Sequence, residues 1–148
     1  MAEVLVVYHT LSGNTGAMAE AVAEGARTAG AEVIVKPALE ATLEDLLGCD
    51  AIALGSADYF SYIAGGLKDF FDRTYYPSKG KVDGKPYGAF VTAGGPGDKV
   101  AECLDKFAGR FGLRKIGSTV VAAGKPKPEI LDKCRQLGRQ LAAEPAPS

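Results

Sequence analysis

Three short segments concentrate the residue types that hold anions and flat rings. The first is His9-Thr10-Leu11-Ser12-Gly13-Asn14-Thr15-Gly16. Thr10, Ser12 and Thr15 bring hydroxyls, Asn14 brings an amide, and Gly13 lets a ligand approach the backbone closely. The segment joins an apolar run to a helical pattern, so unpaired N–H groups and the positive end of a helix dipole gather there. Such a place can hold a dianionic phosphate without Lys or Arg, and the segment contains neither. The same residues form ordinary turns, but three hydroxyls and a glycine within six residues favour the anion site.

The second segment is Ser56–Ala64, with Ser56, Ala57 and Asp58 leading into Tyr59, Phe60 and Tyr62. Aromatic side chains on a connecting loop need a reason to be there. A flat aromatic ligand stacks well on Tyr or Phe, so at least one of the three is expected to stack. The alternative is that one or two turn inward as loop anchors. The third segment is Thr92-Ala93-Gly94-Gly95-Pro96-Gly97, whose backbone can reach a ligand's polar edge. His9 could titrate, but without a visible acidic partner it reads as structural. The better-known phosphate loops are missing. No G-x-G-x-x-G follows a strand, and Gly80-Lys81-Val82-Asp83-Gly84-Lys85-Pro86 has the wrong spacing for a P-loop.

The elements that must position these segments alternate from end to end. Val4–Tyr8 is apolar throughout, as suits a strand covered on both faces. Residues 14–29 place Met18, Ala21, Val22, Gly25, Ala26 and Ala29 on one helical face, with Gly30 as the stop. A strand over 32–36, a short helix over 42–47 capped by Thr42, and a strand over 50–55 follow. A helix is expected from Gly65 to Arg73. Lys68, Asp69, Asp72 and Arg73 read as its solvated face, with Lys68 and Asp72 at i,i+4 spacing. Residues 75–86 read as an exposed connection in which Tyr75 and Tyr76 are loop anchors or the rim of a partner surface, and Lys79–Lys85 is a soluble loop. Then come a strand over 87–92, a helix over 98–111, a strand over 116–123 and a helix over 127–142; residues 143–148 read as a frayed tail. The pattern predicts a single α/β domain over 1–148: a doubly wound five-stranded parallel sheet, order 2-1-3-4-5, with helices on both faces. Its ligand crevice lies beyond the carboxyl ends of strands 1 and 3.

The bulk properties fit that picture. The chain has 148 residues, 47% hydrophobic and 24% charged, enough for one core without disulfides or metals. Seventeen Lys+Arg against eighteen Asp+Glu, with no long like-charge run, make nucleic acid or an anionic membrane an unfavoured partner. No apolar stretch reaches the ~20 residues of a membrane span, and no secretory signal is visible, so a cytoplasmic location is expected. Cys49, Cys103 and Cys134 are odd in number and widely spaced, which argues for reduced packing residues and against metal or iron–sulfur sites.

Thr10-Leu11-Ser12-Gly13-Asn14-Thr15 resembles the T/S-x-T/S-G-x-T phosphate loop of flavodoxins. Gly55–Phe60, followed by Gly66–Asp72, resembles the second FMN loop and helix of the flavodoxin-like NAD(P)H quinone reductases, and Thr92–Gly97 is similar to their third loop. The resemblance covers nearly the whole chain in order. It implies FMN as cofactor, its phosphate on the first loop and its ring between the second and third. Ala57 stands where the family often has Pro, and the third loop offers Gly and Pro where flavodoxins usually place an aromatic residue and acids. A signalling receiver domain shares the sheet order, but its acidic positions hold His9-Thr10 and Gly55-Ser56 here.

Three functions follow from this reading. The first is an FMN protein passing electrons between redox partner proteins. The second is an NAD(P)H-dependent quinone or flavin reductase acting on small quinones. The third is a flavin-free interaction module on the same fold. Neither a catalytic residue nor an oligomeric state follows from the sequence.

Overall fold

The computed structural model describes residues 2–145. Strand β1 (Glu3–Tyr8) pairs in parallel with β2 (Glu32–Pro37) on one side and β3 (Ala51–Ala57) on the other. Beyond β3 lies β4 (Pro86–Ala93), also parallel. The order is β2-β1-β3-β4-β5, as expected, with a sixth strand also on β4. Val4–Val7 are fully buried because both faces of β1 are covered.

Helices α2 (Leu43–Gly48), α3 (Gly65–Ser78) and α4 (Asp98–Arg110) cover one face, where Leu46, Leu67, Phe70, Val100 and Leu104 pack on Ile52, Leu54 and Val91. Helices α1 (Asn14–Thr28) and α5 (Pro128–Ala143) cover the other, with Met18, Val22, Cys134 and Leu137 on Val4, Val6 and Phe90. These two helices touch backbone to backbone. A Cβ at Gly25 would strike the Arg135 carbonyl, and one at Gly138 would strike that of Val22. The start of α2 is a capping box: Thr42 Oγ1 accepts the Asp45 N–H (3.1 Å) and Asp45 Oδ2 accepts the Thr42 N–H (2.9 Å). No helix among the described residues is long and apolar enough to cross a membrane.

Three expectations need correction. Helix α3 does not stop at Arg73 but runs to Ser78, because Tyr75 packs on Phe111 and Pro77 falls where the helix is already ending. The connection 75–86 is exposed at Tyr76, Pro77, Lys79, Gly80, Lys81 and Asp83, but it is not solvated throughout. Ser78, Val82 and Lys85 are buried, and Lys85 Nζ donates to the carbonyls of Leu46 (3.0 Å) and Leu47 (2.8 Å), satisfying the end of α2. The expected strand over 116–123 is two pieces, β5 (Arg114–Lys115) and β6 (Val120–Ala123). Tyr87 pairs with Lys115 and Phe90 with Val120, so two residues of β4 face four. The break falls where Gly117 adopts a left-handed φ of 63°. At the other end, α5 runs through Ala143, and Glu144 lies 3.8 Å from Arg114. Positions 146–148 of the expected tail lie outside the described residues.

Candidate functional site

Because β1, β3 and β4 are parallel neighbours, the loops that leave their carboxyl ends meet at one edge of the sheet. These are the three segments singled out above.

The first loop opens α1 in an unusual way. Gly13, at the position before the helix, has φ 95°, a conformation that favours glycine. No side chain caps the helix and its first turn contains no acid. The N–H groups of that turn are therefore open to an external acceptor, and no carboxylate competes. Thr10 Oγ1 accepts the Gly13 N–H at 3.0 Å, which folds the loop back on itself. Leu11, Ser12 and Gly13 are exposed and Asn14 is half-buried, whereas Thr15 is buried. Its hydroxyl lies 2.8 Å from that of Thr92, at the end of β4.

The second loop is a tight hairpin. Tyr59 and Tyr62 exchange backbone hydrogen bonds of 3.2 and 3.1 Å across Phe60 and Ser61. Both turn residues lie in the left-handed region (φ 59° and 60°), so the turn is of type I′. Asp58 fixes it at both ends: its N–H donates to the Thr92 carbonyl (2.8 Å), and its Oδ1 accepts the Ser61 N–H (2.8 Å). Phe60 projects wholly into solvent at the tip, with a relative exposure of 102%. Ser56 is fully buried. Its Oγ accepts the Ala64 N–H (2.9 Å) and donates to the Ala57 carbonyl (2.7 Å), closing the loop at its base.

Tyr62 turns toward α4, where its ring meets Phe107 edge-on at 6.4 Å. Tyr59 stays at the crevice and meets His9 edge-on at 6.1 Å. His9 donates its N–H to the Gly55 carbonyl (3.1 Å), and its Nδ1 lies 2.6 Å from where a Cβ on Gly66 would be. His9 therefore lines the gap between the first two loops.

The third loop starts at the buried pair Thr92 and Ala93 and then exposes Gly94, Gly95 and Pro96. Gly97, left-handed at φ 74°, opens α4 without a side-chain cap. Thus the three segments converge as the sequence predicts. The bond between Thr15 and Thr92, the left-handed turn at 60–61 and the clamp made by Ser56 are not visible in the sequence pattern. The turn carries neither Asn-Gly nor Asp-Gly, so its sequence gave no signal. The two hydroxyls of the pair are far apart in sequence, and nothing local marks them.

The sequence pattern of the NADPH-dependent FMN reductase family matches residues 31–127, more than half of the chain. A flavodoxin of Aquifex aeolicus is 40% identical over 96% of this chain and 86% of that protein. The chain belongs to the flavodoxin family. An NAD(P)H dehydrogenase (quinone) of Archaeoglobus fulgidus is 30% identical over 96% of both chains, in an alignment of 184 positions. Two other such dehydrogenases, from Rhodopseudomonas palustris and Sinorhizobium fredii, are matched over 57% of their length. Among solved structures, a flavodoxin from the domain Archaea superposes with a TM-score of 0.84 at 28% identity, covering 95% of this chain and 96% of that one. Membership makes this an FMN-binding, flavodoxin-like protein, with redox partners or quinones as its class of partner. The geometry fits that cofactor. The open, acid-free first turn of α1 suits a phosphate, and the edge between the hairpin and the third loop offers ring faces and backbone polar groups.

Proposed function

We propose that this flavodoxin-like chain is an FMN-dependent electron carrier that passes electrons between redox partner proteins. The observation that carries this reading is the difference between its two kinds of relative. The Aquifex flavodoxin matches at 40% identity over 160 aligned positions, whereas the Archaeoglobus dehydrogenase matches at 30% and needs 184 against a 148-residue chain. Segments of the dehydrogenase thus have no counterpart here.

In this reading the phosphate rests on Thr10, Leu11, Ser12, Gly13, Asn14 and Thr15. The ring lies between Ser56, Ala57, Asp58, Tyr59 and Phe60 on one side and Thr92, Ala93, Gly94, Gly95 and Gly97 on the other, with Tyr62 turned away toward α4. Bound FMN supplies the electron chemistry, accepting electrons singly or in pairs. The chain's own residues hold and shield it. The first turn of α1 neutralises the phosphate with N–H groups and hydroxyls. Asp58 and Ser61 fix the hairpin that covers the ring, and Ser56 pins that hairpin to α3. The whole chain acts as one domain in the cytoplasm.

The second reading, an NAD(P)H-dependent quinone or flavin reductase, is favoured by the family whose pattern matches 31–127. An anaerobic absorbance titration of FMN-loaded protein separates the two. A carrier is reduced by dithionite in two spectrally distinct one-electron steps and ignores NADH and NADPH. Direct bleaching by a nicotinamide in a single two-electron step would establish the reductase instead.

A further inference from the structure

Helices α3 and α4 lie on the same face of the sheet and leave a cleft of about 500 Å³ between them. Aromatic side chains build it. Phe71 and Phe107 stack 5.0 Å apart at 13°, Phe111 packs against Phe71, and Tyr75 packs against Phe111. Tyr62, from the hairpin, forms one end. In a sealed core such a row would be closed over. Here Phe107 and Tyr75 are only half-buried, and Tyr62 and Tyr76 are exposed (41% and 78%).

The rim is charged on one side. Lys106 and Arg110 stand one helical turn apart on α4, and neither is paired with a carboxylate among the described residues. The acid on the opposite rim, Asp72, is already engaged by Lys68 at 2.7 Å. The cleft therefore combines stacking surfaces with two uncommitted cations. Its volume lies within the range of about 300–1,000 Å³ usual for small-molecule sites.

We propose that this cleft is a second binding site, separate from the flavin crevice, for a planar aromatic molecule bearing an acidic oxygen. The ring system packs against Phe107, Tyr75 and Tyr62, and the acidic group points to Lys106 and Arg110. Aromatic walls favour an offset or edge-on partner ring, and a carboxylate matches the unpaired cations. A neutral apolar ligand would leave those cations unused. Tyr62 belongs to both the cleft and the hairpin, so the two sites share a wall.

Cys103 provides the test, because it lies in the cleft wall and is half-buried. Cys49 and Cys134 are buried, and burial pushes their thiols up to about 11 and about 12, which makes them poor nucleophiles. Iodoacetamide therefore reads Cys103. On the FMN-loaded protein, 2-naphthoate is expected to slow this alkylation saturably, and 2-naphthylmethanol is expected to protect more weakly. The exposed double variant Lys106→Gln/Arg110→Gln is expected to weaken naphthoate protection about tenfold, with protection by the alcohol and FMN affinity unchanged. Three outcomes would overturn the proposal. One is no protection by millimolar naphthoate. Another is equal protection by acid and alcohol, insensitive to the double variant. The third is concentration-dependent self-association, seen by sedimentation, that shields Cys103 without any naphthoate; the cleft would then be the seat of a second copy. None of these outcomes depends on whether the bound flavin works as carrier or reductase.

Discussion

The hydroxyl of Thr15, in the first turn of α1, lies 2.8 Å from the hydroxyl of Thr92, 77 residues further along at the end of β4, and both are buried. The phosphate-type loop and the third loop are thus fastened to each other beneath the crevice. Thr92 also accepts the Asp58 N–H through its carbonyl, so all three loops meet at this residue.

Thr92→Val keeps the shape and removes one hydroxyl, leaving that of Thr15 buried and unpaired. The expected cost is about 1–2 kcal/mol in denaturant unfolding. Thr15→Val/Thr92→Val removes both polar groups and should be less destabilised than the two single changes added together. Strict additivity in this double-mutant cycle would show that the two hydroxyls do not interact.

Ser12 is exposed on the first loop, so a charge there can be added without disturbing the core. Ser12→Asp should weaken FMN binding about tenfold or more, because a like charge then faces the phosphate. Riboflavin, which lacks the phosphate, should bind the variant as it binds the parent. Fluorescence-quenching titrations with both flavins make the comparison. An equal loss for both would move the phosphate away from this loop.

Ser61 holds a left-handed conformation at φ 60° that glycine adopts freely. Ser61→Gly should raise the stability of the flavin-free protein by about 0.5–1 kcal/mol, the relief of strain being partly offset by the freer unfolded chain. A higher thermal midpoint is the expected result. A lower one would mean that the Ser61 side chain itself matters to the turn.

Asp45 carries a pH-dependent share of stability. Burial works to raise its pKa, but the hydrogen bond from Lys36, the bonds to Thr42 and the Lys36 charge together hold the carboxyl below its ordinary value of 3.8. A carboxyl lowered by folding contributes fully above its unfolded pKa, and that contribution is lost as pH falls through the folded value. Asp45→Asn should therefore cost about 1 kcal/mol near neutral pH. The gap between variant and parent in urea unfolding should close as pH falls below about 4. A gap that persists unchanged at acid pH would remove the charge from the explanation.

Lys85→Met keeps the aliphatic stem but removes the donor from the Leu46 and Leu47 carbonyls at the end of α2. A loss of about 2 kcal/mol is expected in thermal or urea unfolding. A variant as stable as the parent would show that water satisfies those carbonyls equally well.

The strand order and the place of the crevice were legible because their signals are local. The unbroken apolar run Val4–Val7 announces a central parallel strand, and the change of period after Gly13 announces α1. The stretch from Tyr75 to Pro86 misled because its Tyr, Lys, Gly and Pro look like a solvated loop. Tyr75 is drawn inward by Phe111, and Lys85 by the carbonyls of Leu46 and Leu47, partners remote in sequence. The fifth strand misled because Val120–Ala123 continues the apolar pattern of Ile116 across a left-handed Gly117. In the site, the loops were legible and their fastenings were not. Ser56 is expected in the ligand-binding segment, and its hydroxyl turns out to be occupied within the protein, by Ala64 and Ala57.

The glycine contact between α1 and α5 has a consequence for the order in which the molecule can be made. Gly25 and Gly138 let the first and last helices press together, yet nearly the whole chain separates them in sequence. In vectorial synthesis α1 is made early and α5 last, so this contact can form only once residues 128–143 are present. The opposite layer, built from α2, α3 and α4, is complete well before then. Contacts of such long range are formed late and slowly. The contact that closes this face of the sheet thus joins the two ends of the sequence, and it grips α1 at Val22–Ala26, away from the loop that opens the helix.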